Sequence, residues 1–409
     1  MVAKYLNAFC LFFVLIACGA KPKPIPSKPY IFSVIDPTTK ELYAGKIREA
    51  YQNILGKRGF SGSILVAKNG EILFEDYQGL YDVKSKTPIT PTTPFHIAST
   101  SKTFTAMAIL KLWEEGKIDL EKTVDNYLPG FPYADITVRM LLNHRSGLNN
   151  YAYFMVDKQV QAYKVKGKKG RWIKKYRTIK LPVVVKPGLV NNQDMLDFMI
   201  KYKPAVVFGA NRAFSYSNTN FALLALIIEK LSGKDYPTYL KENIFAPLGM
   251  EHSYVFAQKD VARYQPSYYP NNRPYLLEKF DCIYGDKNIY STVRDLLLWD
   301  KALYQGSYIS QTTLQLAFLP GSNDRPSIHN YGLGWRMLDQ PNQKIIYHNG
   351  WWHGNNTSFV PIKKDTITII CLGNKYSNRP YETLRMANEF FLKKKPEPTL
   401  VPELPYTGE

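Results

Sequence analysis

The sequence predicts an α+β fold in which helices flank an antiparallel β-sheet and an all-helical domain is inserted into the chain that forms the sheet. Two strand-like runs, 62–67 and 71–78, are separated by a turn containing Asn-Gly, which is a strong hairpin signal. Further strand-like runs joined by tight turns lie between residues 331 and 372, whereas 120–228 is mostly helical in pattern. We therefore expect both ends of the chain to share one sheet.

The predicted domain organisation follows from these patterns and from the composition of the two termini. The boundaries are 1–18 for a lipoprotein signal peptide and lipobox, 19–40 for a Pro/Lys-rich tether, 41–119 together with 285–395 for the sheet domain, 120–284 for the helical insertion with a basic loop near 164–180, and 396–409 for a frayed tail.

The composition is that of a folded and strongly basic protein. With 409 residues, 45% of them apolar and 14% aromatic, the chain can bury a sizeable core. The net charge of +19 suits an anionic partner such as nucleic acid, a lipid headgroup surface or an acidic cell-wall polymer. The sequence contains no zinc-finger spacing, glycine-rich phosphate loop or RNA-recognition signature, so we expect no nucleic-acid partner.

The N-terminus has the features of an export signal. Lys4 provides a positive start, an apolar run occupies 8–17, and Leu-Ile-Ala-Cys ending at Cys18 resembles the bacterial lipobox. The apolar run is about half of the roughly 20 residues needed to cross a bilayer, which favours a lipid on Cys18 over a transmembrane helix. An ordinary cleaved signal peptide remains the alternative. The predicted location is the bacterial cell envelope, periplasmic or surface-facing, with the membrane contacted through the lipid anchor.

Two further cysteines are far apart in the sequence. Cys282 and Cys371 could pair in an oxidising envelope, but Cys371 lies in an apolar run that resembles a buried strand. We expect two free structural thiols and no metal site.

A serine and a lysine three residues apart form the first catalytic candidate. Ser99 and Lys102 lie where a helix is expected to begin, and positions i and i+3 share a helix face. A partly desolvated lysine amine can remove the proton from a serine hydroxyl and so create a nucleophile. This spacing arises by chance about once or twice in a chain of this length, so a surface pair is the alternative.

The second candidate is a polar loop that precedes an apolar helix. In this loop Tyr216 can carry protons if neighbouring cations lower its pKa, and the Asn218 amide can bind a substrate carbonyl. His144, at a predicted helix end, is interpreted as a cap or packing residue.

The third candidate is the end of a C-terminal strand. Gly350, after His348, would let a substrate backbone approach closely, and the amide of Trp351 could donate to an oxyanion.

A basic stretch interrupts the helical region. Residues 164–180 contain nine lysines and arginines together with Trp172 and Tyr176. We expect an exposed loop or β-ribbon there. Solvated surface is the default interpretation, and contact with anionic lipid or polymer is the alternative.

Taken together, these residues resemble the serine β-lactamase and penicillin-binding-protein superfamily, on its class C β-lactamase, DD-peptidase and esterase branch. The resemblance covers about residues 43–392, and the order and spacing of the motifs are those of the family. The matching motifs are Phe95-x-Ile97-Ala98-Ser99-x-x-Lys102-x-Phe104-Thr105-Ala106, Leu141-Leu142-x-His144-x-Ser146-Gly147-Leu148, Phe214-x-Tyr216-Ser217-Asn218, Ile244-Phe245-x-Pro247-Leu248-Gly249-Met250 and His348-x-Gly350.

The resemblance implies a role for each candidate. Ser99 would be the acylated nucleophile, Lys102 its base and Tyr216 the proton carrier towards the leaving group. The substrate-binding and oxyanion-binding positions would be Asn218, His348, Gly350 and Trp351, with the amides of Ser99 and Trp351 forming the oxyanion hole. The mechanism implied needs no cofactor, and the site would lie in a cleft between the sheet and the helical domain.

One departure from the family pattern bears on the substrate. His348 stands where true class C β-lactamases have lysine, and a neutral histidine attracts a carboxylate less reliably. We therefore expect a serine hydrolase acting on a small ester or a D-amino-acid peptide or amide, with a cell-wall peptide as one option. The alternatives are a β-lactamase acting on penicillin-type antibiotics, a catalytically weak cell-wall-binding or sensing module, and an envelope protein whose basic loop binds lipid or polymer.

Overall fold

The computed structural model of the chain describes residues 30–56, 59–166, 171–324, 326–340, 343–383 and 386. The lipobox at Cys18 and the tail 396–409 lie outside these residues. Within the described ranges, every helix is too short or too polar to cross a membrane.

The described strands and helices follow one another along the chain in a mixed order. The strands are β1 (Gly62–Lys68), β2 (Glu71–Gln78), β3 (Leu80–Asp82), β4 (Thr87–Pro88), β5 (Phe95–His96), β6 (Lys158–Lys166), β7 (Trp172–Lys180), β8 (Tyr254–Val255), β9 (Ile289–Ser291), β10 (His329–Tyr331), β11 (Arg336–Gln340), β12 (Gln343–Trp352), β13 (Asn355–Ile362) and β14 (Ile367–Gly373). The helices are α1 (Pro37–Ile54), α2 (Ser101–Glu114), α3 (Val138–Leu142), α4 (Tyr151–Phe154), α5 (Asn192–Tyr202), α6 (Asn218–Ser232), α7 (Tyr236–Leu240), α8 (Val293–Gln305) and α9 (Gln311–Ala317).

The main sheet is antiparallel and contains strands from both ends of the chain. In the described part of the protein its order is β10-β11-β12-β13-β14-β1-β2. Strand β1 pairs with β14 on one side and with β2 on the other. The prediction of one antiparallel sheet built from both chain ends and flanked by helices is therefore confirmed.

The hairpin between β1 and β2 forms where Asn-Gly predicts it. Asn69 and Gly70 have φ angles of 51° and 70°. Both central residues are thus left-handed, which is the geometry that matches the twist of two antiparallel strands.

Strand β1 is buried on both faces of the sheet, and its alternate residues point to opposite sides. Ile64 and Val66 join a cluster that includes Ile47 and Tyr51 of α1. Leu65 and Ala67 belong to the larger cluster on the other face, which includes apolar residues of α2, α6 and α8. The sheet therefore holds α2, and the residues at its start, in a rigid core.

The first of the strand-like runs between residues 331 and 372 spans 331–337, and its prediction as a single strand is wrong, because β10 ends at Tyr331 and β11 begins at Arg336. Gly334 turns the chain between them with a φ angle of 82°. A Cβ atom at Gly334 would lie 2.2 Å from the Cβ atom of Ala106 on α2. Glycine thus allows the turn to contact the helix that carries Lys102.

The inserted region contains a β-hairpin besides helices α3 to α7. Strands β6 and β7 form a separate two-stranded sheet within the stretch predicted as all-helical. The all-helical prediction is therefore wrong for this stretch, because the aromatic and β-branched residues of β7 favour strand over helix. The β-ribbon considered for the basic stretch is confirmed in its described residues.

Cys282 and Cys371 are free and buried. Burial raises the pKa of both thiols. The expectation of two structural thiols is confirmed.

Candidate active site

Ser99 lies in a short 3-10 turn, Ala98–Thr100, between β5 and α2. Ala98 has a φ angle of 48°, a left-handed conformation that is unusual for alanine. Its amide donates to Nδ1 of His96 over 3.1 Å, and the other ring nitrogen of His96 is 3.0 Å from Oδ1 of Asn288. The surrounding contacts therefore hold a strained turn next to the serine, as is common at functional sites.

Lys102 occupies the first turn of α2 and is fully buried. Its Nζ donates to Ser99 Oγ over 3.0 Å and to the carbonyl oxygen of Asp286 over 2.7 Å. Burial lowers the pKa of Lys102 from 10.5 to about 7. Near neutral pH a substantial fraction of Lys102 is therefore an uncharged amine, which can accept the Ser99 proton while still donating to Asp286.

Asp286 stands behind Lys102 and is a residue that the sequence reasoning missed. Its carboxylate accepts from the hydroxyl of Tyr151 over 2.8 Å, and Nζ of Lys287 lies 3.8 Å from it. The negative charge of Asp286 raises the pKa of Lys102 and partly offsets the desolvation. Asp286 thus positions the lysine through its backbone and adjusts its charge through its side chain.

Tyr216 lies beside the pair, with its ring centroid 5.1 Å from Lys102 Nζ. Desolvation raises the pKa of Tyr216 to about 12, and the positive charge of Arg336 is the largest effect that opposes this increase. A neighbouring cation does lower this pKa, as considered from the sequence, but the loss of hydration outweighs its attraction and the net shift is upward. Tyr216 therefore remains a phenol at neutral pH, able to donate a proton towards a leaving group.

Asn218 begins α6, two residues beyond Tyr216. Its Oδ1 is buried and has no hydrogen-bond partner among the described residues. A buried acceptor left unpaired costs free energy, about 1–3 kcal/mol. This carbonyl oxygen is therefore suited to an N–H group of a substrate.

His348 is fully buried in β12. Its Nδ1 is 2.7 Å from the carbonyl oxygen of Asn349, so Nδ1 carries the proton, and its Nε2 accepts from the hydroxyl of Tyr331 over 3.1 Å. Desolvation, with the charges of Arg336 and Lys102, holds its pKa well below the usual value. His348 is thus neutral, with both ring nitrogens occupied, and it positions Tyr331.

Arg336 supplies a cation to the site, and the sequence reasoning missed this residue too. Its guanidinium carbon lies 5.0 Å from the ring centroid of Tyr216 and 5.9 Å from that of Tyr331. A signal available in the sequence was an arginine placed between two large apolar residues, Trp335 and Met337. The charged group of a residue in so apolar a segment must be paired or hydrogen-bonded if it is buried.

A cavity of about 410 Å³ opens beside Arg336. Phe214, Tyr331 and Asp324 are among the residues that line it. The carboxylate of Asp324 is ion-paired with Arg145 at 2.6 Å. The cavity therefore combines aromatic walls with a guanidinium group, an environment that suits an anionic substrate group.

Gly350 brings β12 into contact with the Ser99 turn. A Cβ atom at Gly350 would lie 2.9 Å from the Ser99 amide nitrogen and 2.5 Å from the Ile97 carbonyl oxygen. Only glycine permits this approach of two backbones. The side chain of the next residue, Trp351, donates through Nε1 to the carbonyl oxygen of His353 over 2.9 Å. An oxyanion hole at the amides of Ser99 and Trp351 stays a prediction.

His144 packs against the ring of Tyr216, at a centroid distance of 4.2 Å. Its Nδ1 accepts from the amide of Ser217 over 3.3 Å. It therefore helps to hold the Tyr216 loop.

Among the described residues, no group of three or more His, Cys, Asp and Glu side chains could hold a metal ion.

We expect kcat/KM for a neutral ester to rise with pH through a midpoint near the Lys102 pKa of about 7. The protonated ammonium predominates below this pH and cannot accept the Ser99 proton, whereas the free amine predominates above it. Rates measured over the pH range in which the protein stays folded test this expectation. A midpoint near the ordinary lysine value of about 10.4, or no dependence on pH, would contradict it.

The comparisons with known proteins agree on one family. The family model described as Beta-lactamase matches residues 47–390. The chain is 32% identical over 353 residues to "Penicillin-binding protein 4*" of Bacillus subtilis, covering 82% of this chain and 73% of that protein. It spans less than two thirds of several further curated relatives, for example 63% of the putative penicillin-binding protein PbpX of Bacillus subtilis.

Solved structures have the same fold. A penicillin-binding protein from Bacillus halodurans matches with a TM-score of 0.67 and 22% identity, covering 85% of this chain and 99% of that chain. A D-amino acid amidase from Ochrobactrum anthropi matches with a TM-score of 0.62 and 24% identity, covering 84% of this chain and 96% of that chain.

Proposed function

Because this chain belongs to the beta-lactamase family, which typically contains serine hydrolases, we propose that it forms an acyl-enzyme on Ser99 with a D-amino-acid peptide, an amide or an ester. The observation that carries the proposal is the contact of 3.0 Å between Ser99 Oγ and a buried lysine whose pKa is about 7. A serine beside an uncharged amine has the two groups that acyl transfer needs, a nucleophile and its base.

Acylation follows from this geometry. Lys102 takes the proton of Ser99, and Oγ forms a bond with the substrate carbonyl carbon. Tyr216, whose ring centroid lies 5.1 Å from Lys102 Nζ, donates its phenolic proton to the leaving nitrogen or oxygen as the bond between that atom and the carbonyl carbon breaks. The Lys102 ammonium then returns a proton to Tyr216. Water then hydrolyses the ester on Ser99, with Lys102 and Tyr216 returning to their starting protonation states.

Two features favour an amide substrate that carries a carboxylate. Oδ1 of Asn218, unpaired among the described residues, can accept from the N–H of an acylated amino acid. Arg336, at the cavity beside Tyr216, can bind a terminal carboxylate through its guanidinium group. The neutral and occupied His348 offers no positive charge for that purpose. These contacts support a peptide with a free carboxyl terminus over a simple ester.

Replacing Arg336 with glutamine tests this substrate class. For a D-alanyl peptide with a free carboxylate, we expect kcat/KM to fall about tenfold more than for the same peptide capped as a carboxamide, because a charge-assisted hydrogen bond is lost only with the former. The capped peptide is the control for general damage to the site. An equal fall for both peptides would contradict the carboxylate assignment.

The same substrate panel includes nitrocefin and short p-nitrophenyl esters. Faster hydrolysis of nitrocefin than of the peptides would favour the β-lactamase alternative. Hydrolysis of none of these compounds would favour a binding or sensing module.

A further inference from the structure

The hairpin β6–β7 projects as a two-stranded ribbon that pairs with no other described strand. Its strands are in continuous antiparallel register from Lys158 opposite Lys180 to Lys166 opposite Trp172. In β7, every residue from Trp172 to Thr178 is exposed. An isolated two-stranded ribbon is marginally stable in water, so a ribbon of this length gains from a surface that covers it.

The ribbon is the most basic part of the protein. Residues 158–180 contain ten lysines and arginines and no aspartate or glutamate. They therefore contribute more than half of the net charge of +19. A ribbon with so many positive charges attracts a surface that carries many anionic groups more strongly than it attracts a single anion.

The register sorts these residues into two faces, because directly opposed residues of antiparallel strands point to the same side. Lys166 is opposite Trp172 and Lys164 is opposite Lys174, and the alternation along β7 adds Tyr176 to this side. We call this side the lysine–aromatic face; its basic and aromatic members are Lys158, Lys164, Lys166, Trp172, Lys174, Tyr176 and Lys180.

Contacts within the face support this sorting. Nζ of Lys166 lies 6.0 Å from the ring centroid of Trp172, and Nζ of Lys174 lies 5.5 Å from that of Tyr176. The two aromatic residues are nevertheless 65% and 63% exposed. Large apolar rings that remain so exposed have area left to bury against a partner.

We propose that the lysine–aromatic face docks on the surface of an anionic phospholipid bilayer. The lysine ammonium groups would contact headgroup phosphates, while the rings of Trp172 and Tyr176 would enter the interfacial layer where such side chains concentrate. The exposed rings favour a bilayer over a soluble polyanion, because only a bilayer places an apolar layer directly beneath its anionic groups. Strand β6 begins seven residues after Tyr151, whose hydroxyl contacts Asp286, so docking would hold the candidate site near the membrane.

Vesicle co-sedimentation of the full-length protein tests the charge requirement. The vesicles contain phosphatidylcholine alone or with phosphatidylglycerol, and the test variant is Lys164→Glu/Lys166→Glu/Lys174→Glu. The matched control is Lys84→Glu/Lys122→Glu/Lys241→Glu, which changes the net charge equally at exposed sites outside the ribbon. Every protein compared has the same N-terminus, so any binding through that segment is common to all.

We expect the ribbon variant to bind anionic vesicles roughly tenfold or more weakly than the wild type, since each lysine at such a surface contributes appreciably to binding. The control variant should lose only a small part of its binding, and all three proteins should bind phosphatidylcholine equally. Wild-type binding by the ribbon variant, or equal losses in both variants, would overturn the proposal. A circular dichroism spectrum equal to that of the wild type shows that the ribbon variant is folded.

A second variant, Trp172→Ala/Tyr176→Ala, separates a bilayer from a soluble polyanion. We expect it to lose most of the anionic vesicle binding, and lipids brominated in the acyl chain should quench wild-type tryptophan fluorescence more than that of Trp172→Phe. If the double variant binds vesicles and polyphosphate as tightly as the wild type, the face recognises charge alone and the membrane proposal fails.

Discussion

Replacing Lys102 with alanine is expected to lower kcat/KM by roughly 10³-fold, the effect of removing a well-placed general base. Lys102 is the amine that contacts Ser99 Oγ, at 3.0 Å, and burial brings its pKa to about 7. The helix itself should persist, because alanine is the best helix former. Steady-state kinetics on the preferred substrate, together with circular dichroism to verify folding, measure the effect.

Two further variants define what a loss in Lys102→Ala means. Lys102→Met keeps the length of the side chain without the amine, so it should be as inactive as the alanine variant. The control is Lys111→Ala, which removes another partly buried lysine side chain, 35% exposed, from the same helix. It should retain activity within about twofold. Near-normal turnover by Lys102→Met in a folded protein would show that another group is the base.

Ser99→Ala is expected to have the largest effect and to reduce turnover by at least about 10⁴-fold. The change removes one hydroxyl from a turn that contacts β12, β13 and α2, so the fold should be retained. Turnover of the preferred substrate measures the loss, with Ser85→Ala, a substitution at an exposed hairpin serine, as the control. Residual turnover within about tenfold of the wild type would exclude Ser99 as the nucleophile.

The parts of the fold that could be predicted from sequence are those in which a few neighbouring residues determine the backbone conformation. Asn69 and Gly70 form the β1–β2 turn because both adopt positive φ angles. Ser99 and Lys102 meet because a helix begins at Ser101, directly after the turn that contains Ser99.

The parts that could not be predicted depend on residues brought together over long distances. Asp286 contacts Lys102 from 184 positions away, and nothing in its local sequence identifies that partner. The increase in the pKa of Tyr216 could not be predicted, because a loop that looks polar in sequence places the phenol in a desolvated site. The contacts of His348 could not be predicted either: one ring nitrogen accepts from the hydroxyl of Tyr331, and the other contacts the carbonyl oxygen of Asn349. Arg336, which faces this site from β11, supplies the positive charge that His348 does not.

The most direct test of a nucleophile at Ser99 is the intact mass of the protein after reaction with a fluorophosphonate probe or a labelled penicillin. We expect the wild type to gain the mass of one bound probe, peptide mapping to locate that mass on Ser99, and Ser99→Ala to gain none. An adduct of equal yield on Ser99→Ala, or a wild type that stays unmodified by both probes while folded, would contradict the assignment of this chain as a serine acyl hydrolase.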